Sequence, residues 1–551
     1  MGLQGMPNLL ACLFSALLLA EVTMSAAASM EVKVSTTPIF PTITRAPTKD
    51  FQMLLRVEAP PASALKGRVS IDLVAVVDVA GDNNLAAVKK AMKFIIRQLN
   101  DTDRLAIVRP TNSLEEFKSS SIVLGGNRKS VEKKVDKLEA RSDDPKGSLG
   151  DTLKMLGEEE ESSLEGRARF IVLVTDVDSS GFNDITESFK YPVYTFGLGA
   201  SHDARTLRLI AQKSQGTYSF LDDDHIDNIS GALALCLGGV KSVAAVGTRV
   251  SLKPVIDSGV KIARIRSGGY SFIKAEDNTS GEITIGALYA GEVKTFVVHL
   301  EVPAAGVDPA LEDVCCHQQK LLVASLDYSG IEAKIEDVLI VQRPWVTVLP
   351  KVPFSMVVNR IVQFKWLEIV DRFIEEEILA YTPAEIVEKN VGNKLLERWE
   401  TFLFEHQFWV GLDLGSLEDE VTAVAKIVEK RLVEAHMFSW VSGYKTQRPT
   451  AMGSPEKVVV GFLTVEVRMT LQVAIMVSRG INDECDYGCV DPAPLELFTQ
   501  GDNDTYYMNE EYKNIVSLKD INGMMTKIYK GVVKARGLKE CRPAESQVIN
   551  E

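Results

Sequence analysis

A chain of 551 residues is longer than one hydrophobic core organises, so two to four domains are expected. Its composition, 46% hydrophobic and 25% charged, is that of an ordinary globular protein, and a net charge of -14 argues against a phosphate-backbone partner. No Lys/Arg run with interleaved aromatics rescues nucleic-acid binding, and no run of about 18 apolar residues offers a transmembrane segment.

Residues 1–29 contain an apolar run from Leu9 to Ala20, then small residues in which Ala26-x-Ala28 offers a cleavage site. That is the shape of a signal peptide and places the protein in the secretory pathway, outside the cell. Met1 to Asn8 holds no Lys or Arg, however, and a start at Met30 would leave the protein cytoplasmic; both readings stay open. Sequons at Asn100, Asn228, Asn278 and Asn503 carry weight only in the first case. Beyond Cys12 come Cys236, Cys315, Cys316, Cys485, Cys489 and Cys541, whose spacing matches no zinc signature. Cys485 and Cys489 could be bridged, but isolated or buried thiols are the simpler reading.

In residues 30–66, Phe51, Met53, Leu55 and Val57 alternate, with polar or exposed positions between most of them, which predicts a half-buried strand among proline-marked turns. Residues 67–242 open on VSIDLVAVVDVAGD, Val69 to Asp82. Its run Leu73 to Val77 is short and β-branched, as in a strand buried on both faces of a parallel sheet. Asp78 then stands at the carboxyl end, where the ligand crevice of an open α/β sheet lies. Helices are predicted at Leu85 to Leu99, Ser130 to Leu138, Asp151 to Leu156, Ala204 to Gln212 and Ile226 to Val240. Strands are predicted at Leu105 to Val108, at Phe170 to Val174 ahead of Thr175-Asp176, at Val193 to Phe196 and at Thr217 to Leu221. This alternation is that of an α/β, doubly wound parallel sheet with right-handed crossovers.

From 243 to 350 the period changes to two, as at Phe296, Val298, Leu300 and Val302, which predicts a β-sandwich. The strand before Pro60 needs an antiparallel neighbour, so the α/β unit is expected as an insertion between two parts of that sandwich. Residues 353–480 read as helical. Val357 to Leu379 is long and amphipathic, and Thr382-Pro383-Ala384-Glu385 is a capping box with Pro at the first helical position. A further helix from Ser416 places Leu417, Val421, Val424, Val428, Leu432 and Ala435 on one face, and Val458 to Val477 is another candidate. Residues 481–551 read as a tail of loop and helix.

The segments DLVAVVDVAGD, AMKFIIRQLNDTDRLAIV, FIVLVTDVDSSG, YTFGLGASHDARTLRLIAQKSQGTYSF, GALYAGEVKTF and QRPTAMGSP follow in order between Met30 and Pro455. Together they resemble the von Willebrand factor A domain proteins of plants related to RING-type ubiquitin ligases, without the paired cysteines that a RING needs. The resemblance implies a doubly wound, Rossmann-like domain whose apex carries a metal-ion-dependent adhesion site. There an Asp-x-Ser-x-Ser loop, a threonine and a second aspartate hold a divalent cation that meets a partner's carboxylate. Asp78 matches the first aspartate and Asp176 the last, but the serine positions are Ala80 and Asp82, and Ser148 stands in the threonine loop. Mg²⁺ demands near-octahedral oxygen ligands and alanine supplies none. A site of Asp78, Asp82, Ser148 and Asp176 is therefore expected to be degenerate and to hold no cofactor. Any cation it took would more readily be Ca²⁺ than Mg²⁺, whose geometry is stricter.

Catalytic patterns are missing: the sequence holds no Gly-x-Ser-x-Gly, no Walker-type loop and no His-Glu-x-x-His. His202, His225, His299, His317, His406 and His436 are scattered and read as surface or capping residues, and Glu158 to Glu161 as a solvated face. The expectation is a non-enzymatic protein-interaction protein, adhesion- or scaffold-like, with a protein partner of unknown identity. The alternative that the resemblance implies is a substrate adaptor of the ubiquitin pathway.

Overall fold

The computed structural model describes residues 31–478, apart from 66–67, 112, 142–147, 160–163, 165, 179–188, 306–317, 330–334, 345–351, 410–411, 429–432 and 456. The readings of residues 1–29 and 481–551, of Asn503, of His317 and of every cysteine but Cys236 lie outside the described residues.

Two antiparallel strands, β1 (Lys33–Pro38) and β2 (Thr48–Glu58), precede the α/β unit. That unit runs β3 (Ile71–Asp78), α1 (Asp82–Gln98), β4 (Arg104–Val108), α2 (Leu114–Ser120), β5 (Ile122–Val123), α3 (Arg128–Asp136) and α4 (Leu149–Glu158). It continues through β6 (Ala168–Thr175), β7 (Val193–Leu198), α5 (Ala204–Ser214), β8 (Tyr218–Leu221) and α6 (Ile229–Val240). β3 is buried at every position because it runs between β6 and β4 with helices on both faces. Ile71, Leu73, Ala75 and Val77 share a core with α1 and α6, while Val74 and Val76 share the other with α4 and α5. The neighbours of β3 are parallel to it, and β5 joins antiparallel to β4 at the edge. Near the start of β3, the fully buried Asp72 sits in register with Arg104 on β4 and Arg169 on β6. Its carboxylate accepts from Arg104 Nε at 2.8 Å and from Arg169 Nε at 2.7 Å.

The chain then returns to the sandwich: β9 (Val243–Pro254), β10 (Lys261–Arg266), β11 (Ser271–Lys274), β12 (Gly281–Tyr289), β13 (Val293–Val302), β14 (Gln318–Asp327) and β15 (Ile335–Gln342). One sheet has the order β1-β2-β13-β10 and the other β11-β12-β9-β14-β15. β2 lies antiparallel against β13, so the sandwich is discontinuous and the α/β unit is inserted in it, as the sequence predicts. The half-buried reading of β2 needs correction. Gln52 and Leu54, on the face expected to be wet, are buried too, because helix α7 (Ser355–Phe373) lies over β2 and β13.

After α7 come a π-helical turn (Ile374–Ile378), α8 (Pro383–Glu388), α9 (Val391–His406), α10 (Leu417–Val428) and α11 (Val433–Thr446). Thr382 caps α8 in the predicted box, its hydroxyl accepting from Glu385 N–H. The stripe read as one helix from Ser416 to Ala435 is divided between α10 and α11; Leu417, Val421, Val424 and Ala435 are buried. A short strand, β16 (Met452–Gly453), adds parallel to β8 at the edge of the α/β sheet, and α12 (Val465–Ser478) packs on α6. No helix among the described residues is long and apolar enough to cross a membrane.

Between α11 and β16 the chain threads the junction of all three parts. Arg448, 4% exposed, donates to Glu292 Oε1 at 2.8 Å, to the Ala287 carbonyl at 2.7 Å and to the Tyr194 hydroxyl at 3.3 Å. Lys294, fully buried, donates to Glu292 and to the carbonyls of Thr446 and Gln447, each at 3.0 Å. Burial would push Glu292 up, but Arg448 and Lys294 outweigh it and hold the carboxyl below its ordinary range.

Two other readings need correction. Glu159 is buried and accepts from Arg169 Nη1 at 2.5 Å, since the turn out of α4 folds it back beside β6. His202, His299, His406 and His436 are also buried, an imidazole being a small ring that a core can take. His202 Nδ1 lies 2.6 Å from the Gly199 carbonyl, which can only accept, so Nε2 accepts from the Tyr218 hydroxyl at 2.7 Å. Burial pushes this imidazole below its ordinary value, the Gly199 carbonyl opposing.

Replacing Arg448 by Met should cost about 3–5 kcal/mol, because it removes one partner of a buried pair; chemical denaturation measures it, and a loss under about 1 kcal/mol would show that the junction does not depend on this pair. His202 gives a pH dependence of definite sign. Below about 6.5, the unfolded chain takes up a proton that the folded chain resists, so stability falls as the pH drops. The melting temperature of His202→Gln should therefore fall less steeply than that of the wild type between about pH 7 and pH 5.

Candidate functional site

Asp78 ends β3 and is 3% exposed. Its Oδ2 accepts from Arg141 Nη1 at 2.8 Å, while Oδ1 is buried without a hydrogen-bond partner. Arg141 is held in place by its own backbone N–H, which donates to the Val79 carbonyl at 2.7 Å. Burial pushes the Asp78 carboxyl up, Arg141 pulls it down and Asp176 pushes it up again.

Asp176 follows directly on β6 and is also buried. Its Oδ1 accepts from Ala80 N–H at 2.8 Å, and its Oδ2 from Gly81 N–H at 3.0 Å and from Asn84 Nδ2 at 2.9 Å. Both oxygens thus clamp the loop that leads from β3 into α1, through charge-assisted bonds to backbone amides. Glycine suits the middle of this clamp: a Cβ at Gly81 would stand 3.2 Å from Asp176 Oδ2. Asp82 is the first residue of α1 and is exposed, where its charge complements the helix dipole.

Ser148 is the N-cap of α4. Its Oγ accepts from Asp151 N–H at 3.0 Å, and Asp151 Oδ2 accepts from Ser148 N–H at 3.1 Å, a reciprocal capping box. Hydrogen bonds from Ser148 hold the Asp151 carboxyl below its ordinary value. Of the four residues singled out in the sequence, Asp78 and Asp176 meet across the 79–81 loop, Asp82 stands on its rim, and Ser148 is engaged in starting α4. Among the described residues, no group of three or more His, Cys, Asp or Glu is placed to share a metal ion.

Sequence reasoning missed Arg141 and Asn84. Asn84 falls on the polar face of α1 and has no periodic signal. Arg141 lies far from Asp78 in the chain, and the two are joined by a tertiary contact, the Arg141–Val79 backbone bond.

Asp176→Ala strips the acceptors from two backbone amides and a carboxamide and should cost about 2–4 kcal/mol. Ser148→Ala should cost about 1 kcal/mol, the worth of a cap. Urea denaturation of the two variants compares them; equal losses would mean that the clamp does not hold the loop.

Residues 71–220 match the von Willebrand factor type A domain family. The chain is similar to the E3 ubiquitin-protein ligase WAV3 of Arabidopsis thaliana, 27% identical over 288 residues, covering 45% of this chain and 35% of that protein. With the E3 ubiquitin-protein ligase WAVH1 of the same plant it shares 30% identity over 92 residues, covering 16% of this chain and 14% of that protein. The chain therefore spans about a third or less of these relatives' length. In three dimensions it is similar to a von Willebrand factor type A protein from Catenulispora acidiphila, at a TM-score of 0.53 and 14% identity, covering 76% of this chain and 98% of that one. The parallel sheet, its helices and the loop after β3 are thus those of a known domain: residues 71–220 form a von Willebrand factor type A domain, in a chain homologous to the Arabidopsis thaliana proteins WAV3 and WAVH1.

Proposed function

We propose that this chain is a non-enzymatic protein-interaction protein whose von Willebrand factor A domain binds a partner without a metal ion at its apex. The observation that carries the reading is the ion pair between Arg141 and Asp78: the deepest carboxylate of the apex already has its cation. With Arg141 seated on Asp78, the oxygens left over are too few for a divalent ion. Ala80 brings no side-chain oxygen, both Asp176 carboxylate oxygens are engaged by the loop, and the Ser148 hydroxyl serves α4. Asp78 Oδ1 and the exposed Asp82 remain, whereas Mg²⁺ takes six oxygens in a strict octahedron.

A second reading, a substrate adaptor in the ubiquitin pathway, is favoured by the names of the Arabidopsis relatives, although the chain covers only 35% of the first of them. One experiment addresses both. Partners recovered on the immobilised full chain should be retained at undiminished yield when millimolar EDTA replaces Mg²⁺. A partner released by EDTA and restored by Mg²⁺ sinks the metal-free reading, and a ubiquitin ligase among the retained partners supports the adaptor.

A further inference from the structure

We propose that Arg141 is a built-in replacement for the apex cation: its guanidinium occupies the seat that a divalent ion would need beside Asp78. The inference rests on the metal-free reading above and supplies its physical cause.

Position comes first. The Arg141 N–H to Val79 carbonyl bond, at 2.7 Å, ties this arginine's backbone to the residue that follows Asp78. Nη1 then reaches Asp78 Oδ2 at 2.8 Å, and with side-chain exposures of 34% for the arginine and 4% for the aspartate, the arginine is the solvent-accessible member of the pair. Asp176, the other buried carboxylate here, takes its hydrogen bonds from Ala80, Gly81 and Asn84. The apex therefore has one deep carboxylate in need of a countercharge, and Arg141 supplies it.

Charge and chemistry follow. A divalent ion beside Asp78 would face the guanidinium in a poorly screened site, where like charges repel strongly. A lysine or histidine could yield by losing a proton. An arginine cannot, so an ion enters only if the whole side chain swings away. The exposed third of Arg141 also has a use, because a planar guanidinium is suited to carboxylates. In this reading an acidic side chain of a partner meets the arginine directly, where the resemblance implies a metal ion between them.

The test uses Mn²⁺ as the probe on the full chain, with thermal melting and the electron paramagnetic resonance signal of free Mn²⁺ as readouts. Wild type should leave Mn²⁺ free and its melting temperature unchanged. Arg141→Ala should melt lower, bind Mn²⁺ and regain about 5 °C at saturating ion; adding Asp78→Asn to it should abolish that gain. Arg141→Gln, which keeps most of the bulk and loses the charge, serves in the same comparison should the alanine variant not fold. If the charge-removed variants ignore Mn²⁺ as the wild type does, the shared seat is disproved and the metal-free reading stands. Binding that survives Asp78→Asn puts the ion elsewhere and also overturns the proposal. Mn²⁺ binding to wild type that requires Asp78 overturns both readings.

Discussion

The buried pair of Arg448 and Glu292 joins positions 156 residues apart and is the contact on which the arrangement of the three parts depends. Arg448 reaches Tyr194 of the α/β sheet while its guanidinium lies 4.3 Å from the Tyr289 ring centroid in the sandwich, and it enters on the segment that follows the last turn of α11. Glu292 and Lys294 project from the sandwich to receive that segment. Gln447, at a φ of 51, turns the backbone so that its carboxamide pairs with both the N–H and the carbonyl of Thr295. An apolar plug could fill the same space at similar stability. It would not aim the chain: here each donor has a specific acceptor, so the segment docks in one register and delivers β16 to the edge of β8.

That junction also marks where the sequence stopped being legible. GALYAGEVKTF and QRPTAMGSP carry much of the family resemblance, yet no local rule gives either of them a chemistry. In the fold they are the two sides of the ionic lock, Glu292 and Lys294 on one and Gln447 and Arg448 on the other. Local rules did better where the cause is local. The β-branched run of β3 announced a strand buried on both faces, and the Thr382 box announced the start of α8, since both depend on residues within a few positions of each other. They failed where a distant element decides burial. β2 alternates as a half-wet strand does, but α7 covers its outer face, and nothing between Thr48 and Glu58 records a helix some 300 residues later. Glu159 and His202 failed for a related reason: a polar side chain signals exposure until its partner is known, and Arg169 and Tyr218 lie ten and sixteen positions away.

The candidate site divides along the same line. Asp78 and Asp176 could be placed at the ends of β3 and β6 from pattern alone, because a parallel sheet gathers its carboxyl ends at one edge. What they do there depends on their partners. Asp176 behaves as a structural acceptor, spending both oxygens on the amides of Ala80 and Gly81 and on Asn84. A carboxylate so engaged keeps the β3–α1 loop shaped whether or not any ion is present, even though Ala80 and Asp82 stand where the resemblance expects hydroxyls.

β3 carries a compensated carboxylate near each end, and the two are compensated differently. At the base, Asp72 draws its cations from the neighbouring strands, Arg104 and Arg169, each fixed in register by the sheet. Arg169 and Asp72 are fully buried there, so neither can change partner without opening the sheet. At the apex no flanking strand supplies the cation. The residue opposite Asp78 on β6 is Thr175, and β4 pairs with β3 only as far as Val108 opposite Val76, so the countercharge must come from a loop. A loop-borne arginine at the solvent edge can exchange its carboxylate, or accept a second one, at far less cost than a strand-borne arginine in the core. The same central strand thus ends in an ion pair built to hold at one side and, at the other, in one placed where a partner's charge can reach it.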